Sequence, residues 1–173
     1  MSPGRAESLE ARPLHRLARA LEEREATLAV AESCTGGLLA ADLTARPGAS
    51  AYFLGGVVAY ADRVKVDALG VEPRALDRHG AVSREVAEAM AQGARERFRS
   101  SLAVSLTGIA GPGGGTSEKP VGLVFISVVG PKGSLTRRFV FPGDREAVRS
   151  ASVGAAAELV LEALEADSGA GGG

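Results

Sequence analysis

The sequence predicts an α/β fold, a three-layer α/β/α sandwich built around a mixed sheet. Two observations carry this reading. Short apolar runs alternate with helix-favouring stretches through most of the chain, and two strand-like runs then adjoin across Pro131-Lys132-Gly133, before a last helical stretch. Strands separated by helices pair in parallel and adjacent strands pair as hairpins, so the combination gives a mixed sheet covered on both faces.

The elements follow in order. Leu14, Leu17, Ala18 and Leu21 recur at helical spacing, which predicts an amphipathic helix from about Ser8 to Arg24, with Pro13 ending a separate first turn. Ala26 to Ala31 is a short apolar run with the length of a buried strand, followed at once by Glu32-Ser33-Cys34-Thr35-Gly36-Gly37 and a helical LLAADLTA. Residues 52 to 61, YFLGGVVAYA, read as a second strand whose Gly55-Gly56 pair signals a bulge or a close backbone approach. A short helix carrying Lys65 comes next. Ser83 is placed to cap a helix reaching Arg99, and SLAVSL, residues 101 to 106, reads as a third strand.

That strand runs into a glycine-rich loop from Thr107 to Pro120. VGLVFISVVG and SLTRRFVF form the expected antiparallel hairpin, and Asp144 caps the final helix. Residues 1–167 read as a single domain, because dividing 173 residues would leave each half near the lower size for a self-sustaining core. The tail 168–173, rich in glycine, is expected to be disordered.

Composition removes several classes of function. Hydrophobic residues make up 45% and charged residues 24%, as in ordinary soluble proteins, and no run approaches the roughly 20 apolar residues of a membrane span. A formal charge of −1 with interspersed signs supplies no basic face for nucleic acid. The lone Cys34 excludes an intrachain disulfide, and the N-terminus has no apolar stretch of signal-peptide length, which together predict a cytoplasmic location. Two histidines and one cysteine, far apart in sequence, offer no zinc-ligand spacing, so neither a metal nor another cofactor is expected. A symmetric dimer is the default assembly.

Two polar turns follow predicted strands, one at Ser33 to Gly37 and one from Thr107 to Thr116, and ligands of open α/β sheets gather at such carboxyl ends. The first turn opens a helix whose amides can stabilise an oxyanion, with Ser33 or Cys34 as the attacking group. Serine needs a base. His15 lies in a surface helix and His79 in what reads as an exposed connection, leaving lysine. Arginine outnumbers lysine 17 to 3, so each lysine draws interest as the cation able to lose its proton near neutrality. Of Lys65, Lys119 and Lys132, Lys65 is the best placed, since Val64, Val66 and Leu69 give its surroundings the apolar character that desolvates an amine. Tyr60 closes the preceding strand, where its phenol could relay a proton or hydrogen-bond the base. The glycine-rich loop lacks the Walker lysine and the dinucleotide spacing, but its consecutive amides can cradle a phosphate, with Thr107, Thr116 and Arg145 as further donors.

The segments AESCTGG (31–37), GGVVAYADRVK (55–65), HGAVS (79–83), TGIAGPGGGTSEKPVG (107–122) and FPGDREAVR (141–149) together resemble the CinA C-terminal domain family, which includes nicotinamide-nucleotide amidases. The resemblance covers nearly the whole chain and implies a stand-alone form of a domain that larger members carry beside a pyrophosphatase-like one. It implies hydrolysis of nicotinamide mononucleotide to nicotinate mononucleotide and ammonia, within the pyridine nucleotide cycle of NAD salvage. The family's serine and lysine fall on Ser33 and Lys65, a Ser-Lys dyad, and its tyrosine on Tyr60. Substrate contacts are expected at Thr35, Gly36 and Gly37 of the first turn, at Thr107, Gly108, Gly111, Gly113, Gly114, Gly115 and Thr116 of the second, and at Arg145. Two rival readings stand beside this one: a cysteine hydrolase using Cys34, and a non-catalytic nucleotide-binding or partner module related to competence and damage-inducible proteins.

Overall fold

The computed structural model describes residues 12–168. Helix α1 (Pro13–Glu23) precedes β1 (Leu28–Glu32), α2 (Leu38–Thr44) and β2 (Phe53–Val58). Helices α3 (Asp62–Leu69), α4 (Pro73–His79) and α5 (Arg84–Phe98) lead to β3 (Leu102–Gly108), the hairpin β4 (Leu123–Gly130) and β5 (Gly133–Val140), and α6 (Arg145–Ser168). The strands form one mixed sheet in the order β2-β1-β3-β4-β5, with β1 parallel to both its neighbours and the last three antiparallel. This is the expected α/β/α sandwich.

Each strand of the centre is apolar on both sides because helices cover both. From β1, Leu28 and Val30 enter a core formed with α1, α2 and α6, while Ala29 and Ala31 enter a second core against α3, α4 and α5. All five β1 residues are buried, as a central parallel strand requires. The second core is lined by smaller residues, including Ala29, Ala31, Ala94 and Ala103, which lets α5 approach the sheet closely. Within α5, Gly93 lies against the Leu69 carbonyl at the end of α3, where any Cβ would overlap it. Glycine here sets the distance between α5 and the helix that carries Lys65.

The bulge expected at Gly55-Gly56 is present: Leu28 pairs with Phe53 but Ala29 with Gly55, leaving Leu54 as the extra residue, and Gly55 has φ +146°. Ser83 caps α5 by accepting from the Val86 amide at 3.3 Å, and Asp144 caps α6 by accepting from the Ala147 amide at 2.9 Å. Several boundaries differ from expectation. Pro13 does not end a first turn but begins α1, where its missing N–H has no helical partner to lose; Ser8 to Ala11 lie outside the described residues, as does the glycine tail from 169. Helix α4 replaces the exposed connection expected around His79. Strand β3 continues through Thr107 and Gly108, because β4 pairs them with Phe125 and Val124.

Strands β2 and β3 flank β1 on opposite sides, and the chain reaches them over opposite faces of the sheet, through α2 and through α3 to α5. A crevice therefore opens at the carboxyl ends of β1 and β3, the topological switch point of such sheets. Ser33 and Gly108 both stand there.

Candidate active site

The turn after β1 is fixed from three directions. The Ser33 amide donates to the Leu106 carbonyl of β3 at 3.0 Å, and the Ala59 amide beyond β2 donates to the Glu32 carbonyl at 2.7 Å. Glu32 itself is fully buried, and its carboxylate accepts from the amides of Gly37 (3.1 Å), Leu39 (3.1 Å) and Ala40 (2.8 Å) at the start of α2. A carboxylate at a helix N-terminus gains both hydrogen bonds and the favourable dipole. Gly37 enters this cap at φ +100°, which its lack of a Cβ permits.

This arrangement alters the expected use of the helix amides. Gly37 is engaged by Glu32, and the Gly36 amide donates to the Ser33 carbonyl at 3.1 Å. Of this turn, the Cys34 and Thr35 amides have neither a carbonyl nor a carboxylate acceptor among the described residues. The Thr35 hydroxyl is buried with no partner. Replacing Glu32 by alanine is expected to strand three amides in a buried setting and lower stability by about 3 kcal/mol. For a chain of this size that is a fall in Tm of roughly 6–12 °C, readable by calorimetry; an unchanged melting curve would remove Glu32 from this role.

Lys65 is 1% exposed and Ser33 8% exposed. Helix α3 starts at Asp62, so its first full turn aims Lys65 back toward the carboxyl end of β1. There Lys65 Nζ lies within hydrogen-bond distance of four oxygens, Ser33 Oγ at 3.3 Å, the Ala59 carbonyl at 3.0 Å, the Tyr60 carbonyl at 3.3 Å and Asp62 Oδ1 at 3.3 Å, among which its N–H groups are shared. The amine thus meets the hydroxyl inside a shell of oxygen acceptors and almost no bulk water. Burial pushes the Cys34 thiol up to about 11, with the Glu32 carboxylate adding to the effect; the main-chain N–H groups of Cys34 and Thr35 and the Arg145 guanidinium act the other way. Near neutrality Cys34 is a thiol.

A cavity of about 230 Å³ opens over this pair, lined by Ser33, Cys34, Tyr60, Lys65, Thr107, Gly108 and Arg145 among the residues expected from sequence, and by Asp62, Ala81, Val82 and Ala110 besides. Tyr60 is 60% exposed, and its phenol oxygen accepts from Arg145 Nη2 at 3.0 Å; the main chain of Tyr60, not the phenol, meets Lys65. Arg145 Nη1 also donates to the Gly111 carbonyl at 2.9 Å, tying α6 to the glycine-rich loop. Thr107 donates to the Ala81 carbonyl at 2.8 Å and so holds the opposite wall in place.

The remaining expected contacts stand outside this lining: Thr35, Gly36 and Gly37 in the turn, and Gly111, Gly113, Gly114, Gly115 and Thr116 in the loop. Thr116 is exposed and pairs with Lys119 inside the loop. His79 ends α4, outside the cavity lining, with Nδ1 3.8 Å from Glu85 Oε1, and His15 lines a different cavity beside Asp42 and Tyr52. Sequence reasoning passed over Asp62, although its spacing of three from Lys65 puts both on one helical face. It also passed over Arg149, whose Nη2 donates to the Thr35 carbonyl at 2.9 Å. Among the described residues, no group of three or more potential ligands could hold a metal ion, and no helix is long and apolar enough to cross a membrane.

Comparison with known proteins places the chain in a family. The CinA C-terminal domain matches residues 11–164. A CinA-like protein of Mycolicibacterium paratuberculosis is 55% identical over 142 residues, covering 79% of this chain and 33% of that protein. Another, from Thermosynechococcus vestitus, is 57% identical over 130 residues, covering 75% and 31%. The chain thus spans about a third of the length of the curated relatives it matches. Among solved structures, the competence/damage inducible protein CihA of Agrobacterium tumefaciens superposes with a TM-score of 0.82 at 40% identity, over 95% of this chain and 99% of that one. A competence-damaged protein (CinA) superfamily protein of Klebsiella pneumoniae gives 0.85 at 37%, over 88% and 96%. With a matching domain across nearly its whole length and relatives above half identity, the chain belongs to the CinA C-terminal domain family.

Proposed function

We propose that the protein is an amidohydrolase that converts nicotinamide mononucleotide to nicotinate mononucleotide and ammonia, with Ser33 as nucleophile and Lys65 as its base. The observation that carries the reading is the 3.3 Å approach of Lys65 Nζ to Ser33 Oγ, both buried beneath an open cavity. Lys65 in its uncharged form takes the hydroxyl proton as Ser33 Oγ bonds to the carboxamide carbon. The amides of Cys34 and Thr35 are the donors left for the oxyanion, and such a donor contributes about 10²–10³ in rate. Lys65 then returns the proton to the leaving nitrogen, ammonia departs, and the same amine deprotonates the water that releases the carboxylate. Arg145, which lines the cavity and is tied to the glycine-rich loop through the Gly111 carbonyl, takes the substrate phosphate, so that binding energy away from the reacting centre orients the pyridine ring.

Incubation of the purified chain with nicotinamide mononucleotide, with and without a chelator, tests the proposal. Ammonia and nicotinate mononucleotide are expected in equal amounts at a rate the chelator leaves unchanged. Substrate that stays intact would favour the passive binding module, and activity lost to the chelator would favour metal chemistry.

A further inference from the structure

Among the described residues Lys65 Nζ has four oxygen hydrogen-bond neighbours, and they differ in what they can do with a proton. Two are the main-chain carbonyls of Ala59 and Tyr60, which hold a hydrogen bond but do not carry a proton at neutral pH. The third is Ser33 Oγ. The fourth, Asp62 Oδ1 at 3.3 Å, belongs to a carboxylate whose side chain is 62% exposed, against 1% for Lys65. Of the two side chains that touch the amine, Asp62 is the one widely open to bulk water, Ser33 being only 8% exposed.

A buried amine that works as a base must be able to lose a proton to solvent before a cycle and whenever a cycle aborts. We propose that Asp62 is the relay through which Lys65 exchanges protons with water, which rests on the Ser33–Lys65 chemistry proposed above. In the step, an N–H bond of the Lys65 ammonium breaks as an O–H bond forms on Asp62 Oδ1. The carboxylic proton then passes to water or a buffer base and the carboxylate is restored, with no change of oxidation state. Tyr60, Cys34 and Arg145 also line this cavity, and among the described residues no second carboxylate and no histidine does. From α5, which packs along α3, the Arg97 guanidinium is engaged by the Ala68 carbonyl, near the far end of α3. None of these groups joins Lys65 to solvent as Asp62 does.

The test uses the full chain with Asp62→Asn and Asp62→Glu, both at an exposed position and checked for an unchanged Tm. Two readouts are followed: ammonia released from nicotinamide mononucleotide, and the rate at which a fluorophosphonate probe labels Ser33, which does not depend on the substrate assignment. Asp62→Asn is expected to lower kcat and labelling about tenfold or more. Acetate or imidazole buffer should restore its rate in proportion to concentration while leaving the wild type unaffected, and Asp62→Glu should recover most of the loss. Wild-type rates in Asp62→Asn, or a loss that no buffer or glutamate repairs and that is equal at every pH, would overturn the relay. If the wild type labels at Ser33 with the expected Asp62 dependence yet leaves nicotinamide mononucleotide intact, the relay stands and the substrate assignment falls. If Ser33 neither labels nor turns over substrate, both fall.

Discussion

Lys65→Arg is expected to reduce amide turnover by about 10²–10⁴, the usual contribution of a positioned general base. Arginine keeps the positive charge and the capacity to donate to Ser33, but near neutrality it does not give up a proton. The substitution therefore separates a base from a fixed cation. It also asks a larger, planar group to enter a site that is 1% exposed and shaped by two carbonyls. Lys65→Met serves as the companion, matching the aliphatic stem and removing both charge and proton. Steady-state kinetics with melting curves distinguish the cases: both variants should fold and both should be nearly inactive. Full kcat in Lys65→Arg would exclude proton abstraction by Lys65.

Ser33→Ala and Cys34→Ala form the second decisive pair, because adjacent side chains in one turn present two nucleophiles. Ser33→Ala is expected to abolish measurable turnover, a loss of about 10³ or more when a nucleophile of a cooperating set is removed. Cys34→Ala is expected to keep activity within several-fold of wild type. A thiol pushed up to about 11 leaves roughly one molecule in ten thousand as thiolate at pH 7. Its 5% exposure and membership of the core with Leu39 and Ala110 fit a packing role instead. Ammonia release that survives Ser33→Ala but not Cys34→Ala would reverse the assignment.

The amino-acid sequence made the layers legible because periodicity reports burial. Strand β1 appeared as an unbroken apolar run, and it is buried on both faces. Helix α4 was not legible: it buries no residue, so Pro73 to His79 carry no apolar stripe to detect. The end of β3 is not legible because Thr107 and Gly108 are turn-forming residues in isolation, and only pairing with β4 extends the strand through them. Strand order is likewise set by contacts far apart in the chain. In the site, Ser33 and Lys65 could be picked out by chemistry and by their apolar neighbours. The meeting of residues 32 apart, and the engagement of the Tyr60 phenol by Arg145, depend on how α3 and α6 pack. Glu32 leaves a trace in the sequence, an acid at the end of a strand directly after the apolar Ala29-Val30-Ala31.

That acid has a further consequence. None of the ion pairs among the described residues includes Glu32, so its countercharge is the peptide groups at the start of α2. Sliding α2 along β1 by one residue would leave a bare anion in the middle of the protein. The alignment of this seven-residue helix is thus held by electrostatics where packing alone would permit drift, and the serine next to that anion inherits the same fixed position.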